Sequence, residues 1–266
     1  MAADKYALIP AGTYRMGAQD GPHAEDGEGP EREVSLDSFC ISKAAVSNAD
    51  FATFVEATGF ESVAEKRGGS FVFQSQLASA NLYPAPNAAT PWWRWAEGAN
   101  WRNPTCDGGV QDGLPVVHIS LLDAIAYCQW AGVRLATEAE WERAAQPPGP
   151  APHIWSGQFP DAPVNPPGPL PVASGEANAA GLYHACGNVW EWTADRFTRL
   201  HSPRVTLNPK GPLNGDAYVV KGGSFLCCPS YCARFRPSSR RGEAPDATAS
   251  NLGFRVAAFA ADGNLK

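Results

Sequence analysis

The chain has 266 residues, 44% of them hydrophobic and 18% charged, with a formal net charge of −6. That length and apolar content support a substantial core in one large domain or two small ones. The negative balance, with no basic run, argues against nucleic acid as a partner, and no apolar stretch approaches the roughly 20 residues needed to span a bilayer.

Glycine (26) and proline (24) are abundant, so many turns and short elements are expected rather than long helices. The opening residues, Met1-Ala2-Ala3-Asp4-Lys5-Tyr6, lack the apolar core of a secretory leader. The seven cysteines are an odd number and unevenly spread. They suit a reducing compartment with one special thiol site better than a secreted disulfide framework. The expected location is the cytoplasm.

Tyr6 to Ile9 reads as a short strand, stopped by Pro10-Ala11-Gly12. The Gly-rich, acidic stretch from Asp20 to Pro30 reads as a solvated loop, with cation binding as the alternative. Val34 to Ile41 alternates towards a single strand. Ser47-Asn48-Ala49-Asp50 resembles a capping box, imperfect because Asp50 replaces Glu or Gln. It starts a helix with Phe51, Phe54 and Val55 on one face, ended by Gly59. Glu61 to Gln111 has little periodicity. Its aromatics, Phe71, Phe73, Trp92, Trp93, Trp95 and Trp101, suit a core or the lining of a groove.

Ser120 starts a second helix that runs through Ala124, Tyr127, Cys128 and Trp130 to Gly132. Thr137-Glu138-Ala139-Glu140 is a fuller capping box. It opens a third helix with Trp141, Ala144 and Ala145 inward, ended by Pro147-Pro148. The Pro-rich stretch to Pro171 reads as a surface excursion. Gly187-Asn188 favours a turn. Alternation then puts Trp190 and Trp192 on one face of a strand, and Val189, Glu191 and Thr193 on the other. A carboxylate between two indoles needs a partner, either an Arg or a metal cation. Gly253 to Ala258 reads as one closing strand.

Gly222 to Arg236 is the stretch with the most chemistry. Cys227, Cys228 and Cys232 fall within six positions, after two glycines that suggest a bulge or a close backbone approach. One turn brings the sulfurs of Cys227 and Cys232 to the same point. Arg234, Arg236 and Arg240 favour thiolate if they face it. Two thiolates without a nearby His or carboxylate make a soft site, suited to Cu(I), whereas zinc wants four ligands. A local disulfide or two buried thiols are the other readings. Cys228 is either an alternative ligand or an incidental thiol.

These residues, in this order, resemble the formylglycine-generating enzymes, or sulfatase-modifying factors. The matching segments include Ile9-Pro10-Ala11-Gly12, Val46-Ser47-Asn48, Ser70-Phe71-Val72-Phe73, Pro91-Trp92-Trp93 and Gly98-Ala99-Asn100-Trp101-Arg102. Further along they include Thr137-Glu138-Ala139-Glu140-Trp141-Glu142, Gly187-Asn188-Val189-Trp190-Glu191-Trp192, Gly222-Gly223-Ser224 and Asn251-Leu252-Gly253-Phe254-Arg255. Most of them mark the wider fold superfamily; Cys227 and Cys232 fall where the catalytic branch has its copper-binding cysteines.

The resemblance implies an α+β fold, a coil-rich variant of the C-type lectin fold, as one domain over residues 1–266. It implies an oxidoreductase that uses O2 and Cu(I), held by Cys227 and Cys232, to convert a peptide cysteine to Cα-formylglycine. The implied partner is a cysteine-containing peptide or an unfolded sulfatase. Ser224 and Trp190 match the residues beside the family's oxygen pocket. The family's calcium site maps to His184, Gly187, Val189 and Glu191, but His is a poor ligand for a cation that prefers oxygen. A second calcium site would begin near His153-Ile154, where the family has Asn first, and it is expected to be lost or rebuilt. A related copper oxidase with another thiol substrate, and a non-catalytic binding module, share the frame. The iron-dependent branch needs clustered histidines; the five here are scattered.

Overall fold

The structure, a computed structural model, describes residues 3–146, 149, 151–165, 167–201, 204 and 206–259. Strands β1 (Tyr6–Ile9), β2 (Gly12–Met16), β3 (Arg32–Leu36) and β4 (Phe39–Ser42) open the chain. Helices α1 (Asn48–Thr58) and α2 (Val63–Arg67) follow, then the pair β5 (Gly69–Phe73) and β6 (Trp93–Glu97). Helix α3 (Leu121–Ala131), β7 (Arg134–Leu135) and α4 (Glu138–Ala145) form the middle, with the small ribbon β8 (Gly157–Gln158) and β9 (Ala162–Pro163) beyond. The last strands are β10 (Trp190–Arg196), β11 (Thr206–Leu207), β12 (Tyr218–Lys221), β13 (Arg240–Glu243), β14 (Leu252–Phe254) and β15 (Val256–Phe259). One sheet has the order β1-β4-β15-β7 and another β13-β12-β10-β14; smaller pairings are β11-β3-β2, β5-β6 and β8-β9.

Among the described residues, the four α-helices start with the same device. Ser47, Ser62, Ser120 and Thr137 each accept a backbone N–H from the third helical residue, whose carboxylate reaches back to the cap. Each cap is worth about 1 kcal/mol. Asp50 was expected to be an imperfect member, yet its box is complete. The box at Ser62 and Glu65 escapes a sequence reading because α2 is only five residues long. The β5-β6 pair is also hidden in the aperiodic stretch; its cross-strand pairs Phe71–Trp95 and Phe73–Trp93 meet edge to face. Gln146 follows the last turn of α4 in extended conformation, and Pro147 and Pro148 lie outside the described residues.

Two expected strands are each divided. Val34 to Ile41 breaks at Asp37-Ser38, so that β3 pairs with β2 and β4 with β1. The closing strand breaks at Arg255: β14 lies parallel to β10 in one sheet, and β15 antiparallel to β4 in the other. Leu252, Phe254, Val256 and Ala257 are all buried. Alternation therefore cannot reveal the break, because each half is covered by a different neighbour.

One hydrophobic cluster joins Phe51 and Phe54 of α1, Tyr127 of α3, Trp190 and Trp192 of β10, and Phe254 of β14. Cys227 belongs to it and Cys232 packs against it. A second cluster, Phe73, Trp155, Phe225 and Leu226, takes in Cys228. The cysteine-rich turn thus lies where two cores meet.

Candidate metal centre

The chain leaves β12 through Gly222 and Gly223, with φ of +90° and +69°. Both conformations favour glycine. A Cβ on Gly223 would also lie 2.7 Å from the Arg234 carbonyl oxygen. This close approach folds the segment back on itself. The Cys228 carbonyl then accepts the N–H groups of Tyr231 (3.2 Å), Cys232 (2.9 Å) and Ala233 (2.9 Å). The turn leaves the Sγ atoms of Cys227 and Cys232 2.9 Å apart. That is well beyond the roughly 2.05 Å of a disulfide, and both cysteines are free.

The two sulfurs differ. Cys227 is buried, with its carbonyl accepting the Trp155 N–H at 2.9 Å, whereas Cys232 is partly exposed. The hydrogen bond between them holds the Cys232 thiol below its usual range, against the effect of burial and with help from Arg234. The same hydrogen bond, with burial, pushes Cys227 well above that range. The shared hydrogen bond therefore makes Cys232 the more acidic sulfur and Cys227 the less acidic one. Of the three arginines expected near the sulfurs, only Arg234 serves them. Arg236 and Arg240 are committed to Glu28 and Glu138.

Ser224 and Trp190, expected beside the pair, are both buried. Asn251 ties them together: its side chain donates to Ser224 Oγ at 2.9 Å, and its carbonyl accepts the Trp190 N–H at 2.8 Å. In the sequence, nothing but its place in a fold segment singles out Asn251. Trp190 and Asn251 line a cavity of about 270 Å3, with Phe71, Trp93 and Trp95. On the other side of the turn, Tyr231 stacks on Phe159 at 4.4 Å and meets Trp92 edge-on at 5.4 Å. A larger cavity of about 720 Å3 beside α3 touches none of these site residues.

The acidic stretch from Asp20 to Pro30 is not simply a solvated loop. Glu28 is 1% exposed and holds Arg236, and Asp26 holds Arg234. Its charges meet guanidinium groups roughly 200 residues away, which local composition cannot reveal.

The residues aligned with calcium do not fit a hard cation. Glu191 accepts from Arg255 Nε at 2.5 Å and Nη2 at 2.7 Å, and from Trp141 Nε1 at 2.6 Å. Arg255 also donates to the carbonyls of Ser42, Lys43 and Tyr183. Of the two partners left open for Glu191, the structure supplies the arginine. His184 contacts Ser174 Oγ at 3.0 Å through Nε2, and burial lowers its pKa. Gly187 packs against His153, where a Cβ would lie 2.3 Å from the His153 carbonyl oxygen. Val189 is buried one residue before β10.

Comparison with known proteins gives this site its context. A family model for the sulfatase-modifying factor enzyme 1-like domain matches residues 2–260. The chain is 44% identical to the formylglycine-generating enzyme of Mus musculus, over 97% of this chain and 76% of that one. It is 38% identical to the inactive C-alpha-formylglycine-generating enzyme 2 of Mus musculus, over 95% and 85% of the two chains. Among solved structures, PvdO from Pseudomonas aeruginosa superposes with a TM-score of 0.66 at 21% identity, covering 96% of this chain and 94% of that one. That likeness shows the fold, the expected α+β variant of the C-type lectin fold. On the reach and identity of these matches, the chain belongs to the sulfatase-modifying factor family, the family of the formylglycine-generating enzymes.

Proposed function

We propose that the protein is a formylglycine-generating oxidase, acting on a cysteine in a sulfatase-type peptide in the cytoplasm. The observation that carries the reading is the Cys227–Cys232 pair, two free sulfurs 2.9 Å apart, with Cys227 hydrogen-bonded to the Ser224 backbone and sharing a hydrophobic cluster with Trp190. Overall similarity does not decide it, since the chain is also similar to a relative named inactive.

The donor set fits a soft monovalent ion. It has two sulfurs, one of them inclined to thiolate, and among the described residues no carboxylate or imidazole is grouped with both of them as a ligand. Cys227 and Cys232 would hold Cu(I), which, when bound, supplies one-electron chemistry with O2 and a place for a third sulfur. The buried Cys227 anchors the site, and the partly exposed Cys232 is the sulfur more open to a substrate. Trp190 lines the cavity it shares with Asn251, and Ser224 joins that wall through Asn251. The indole keeps water from a reactive intermediate, and the hydroxyl, fixed by Asn251, offers one oriented polar group. In the substrate, the cysteine loses two electrons and two protons overall to give a thioaldehyde at Cβ, with O2 as the acceptor. Water then replaces sulfur, hydrogen sulfide leaves and the aldehyde remains.

The test is oxidation of a Cys-x-Pro-x-Arg peptide by Cu(I)-loaded protein in air, read by mass spectrometry and by capture of the aldehyde with a hydrazide. Aldehyde formation at that cysteine is expected. An unchanged peptide, under conditions where Cu(I) is bound, would reject this substrate class.

A further inference from the structure

We propose that residues 23–28 form a clamp that fixes the Cys232 sulfur opposite Cys227, with His23 and Asp26 as positioning residues for the thiol pair. The functional meaning of the clamp rests on the copper reading above; its geometry does not.

A set of polar contacts joins this N-terminal segment to the far end of the cysteine turn. His23 Nε2 donates to the Cys232 carbonyl, and His23 Nδ1 lies 3.1 Å from Glu25 Oε1. Asp26 Oδ2 accepts from Arg234 Nε at 2.5 Å. The Asp26 carbonyl accepts from Arg240 Nη1 at 3.2 Å. Glu28 takes both contacts from Arg236 Nη2, at 2.6 and 2.8 Å, and accepts from Ser239 Oγ at 2.9 Å. The segment is itself rigidly built. A 3-10 turn over Ala24–Asp26 closes at Gly27 with φ of +71°, and the Glu28 carbonyl accepts the Ala18 N–H at 3.0 Å.

The anchor points explain what the clamp does. Ala233 has φ of +50°. A non-glycine residue persists in that region only when its surroundings enforce it. The two clamped groups, the Cys232 carbonyl and the Arg234 guanidinium, flank Ala233 on either side. Cys227 needs no such support, being buried in the core and bonded to Trp155. Cys232 is the partly exposed partner, so the clamp decides how well its sulfur stays opposite the other. Supporting contacts of this kind set ligand geometry in general.

The test compares wild type, Asp26→Asn, Asp26→Glu and His23→Leu in the full chain. Asp123→Asn, which weakens the buried cap of α3 away from the thiols, serves as a stability control. Two readouts are taken. One is the equilibrium with glutathione, in which the dithiol and oxidised glutathione give a Cys227–Cys232 disulfide and two reduced glutathiones. Its constant measures how well the sulfurs are held together without any metal. The other is Cu(I) affinity, by competition with a chromophoric chelator. Losing a hydrogen bond to a charged group should lower both values about tenfold or more in Asp26→Asn. Asp26→Glu should recover most of the loss, and His23→Leu should fall between.

The proposal is overturned if Asp26→Asn and His23→Leu match wild type in the glutathione equilibrium. It is equally overturned if Asp123→Asn, similarly destabilised, loses as much. A wild type that does not bind Cu(I), with variants still impaired towards glutathione, would reject the copper reading and leave the clamp standing.

Discussion

Two places in the molecule invite a cation, and they are built in opposite ways. At Glu191 the chain supplies its own: Arg255 is fully buried, doubly bonded to the carboxylate, and spends its other donors on three backbone carbonyls. At Cys227 and Cys232 the sulfurs have each other, a backbone contact apiece and a nearby guanidinium. The first place has its charge met by the chain's own guanidinium; the second keeps donor capacity for something that arrives. Both adjoin the same pair of strands: Glu191 lies near the start of β10, opposite Lys221, and the cysteine turn follows Lys221 at the end of β12. Residue type alone would not separate them, because a buried carboxylate among tryptophans looks as metal-seeking as a cysteine pair. What separates them is how many partners the fold has already provided.

The contrast can be broken by mutation. The largest effect expected is loss of peptide oxidation in Cys227→Ala and in Cys232→Ala, to background in the aldehyde assay, with the fold retained by circular dichroism. Next, Arg255→Met should cost about 3–5 kcal/mol in urea unfolding, because it leaves a buried carboxylate unpaired. Replacing Glu191 with Leu as well should recover part of that loss.

His118 offers a third buried group with all its needs met. It is fully buried, 2.8 Å from Ser70 Oγ and 3.0 Å from the Pro104 carbonyl. Burial lowers its pKa to about 4. The unfolded chain takes up this proton near pH 6.5, so the stability is present above that pH and is lost as pH falls towards 4. The loss should reach roughly 3 kcal/mol. His118→Gln should flatten that part of the stability–pH curve.

Smaller effects sharpen the comparison. Ser224→Ala should slow peptide oxidation about 10- to 100-fold while leaving Cu(I) affinity close to wild type, since its hydroxyl orients the site without holding the ion. Chelation with EGTA should leave the melting temperature unchanged, and added calcium should not raise it. A calcium-dependent rise would show that the Glu191 locus accepts a metal despite Arg255.

The sequence makes local features legible and leaves distant ones hidden. Helix starts can be read because the cap and its carboxylate are three residues apart, as at Ser47 and Asp50. The sulfurs at 227 and 232 converge within one turn, so spacing is enough to suggest it. The partner of Glu191 lies 64 residues on, at the point where the closing strand changes sheets. The clamp on Arg234 comes from Asp26, 208 residues back. No periodicity records such pairings, so in the sequence the acidic stretch looks solvated and the closing strand looks continuous.

Anaerobic titration of Cu(I) into wild type, Cys227→Ala and Cys232→Ala, against a competing chelator, tests the central claim most directly. Wild type should bind one ion per chain tightly, and either substitution should abolish that binding. Equal binding in all three proteins, or none in wild type, would contradict the assignment of the thiol pair as a copper centre.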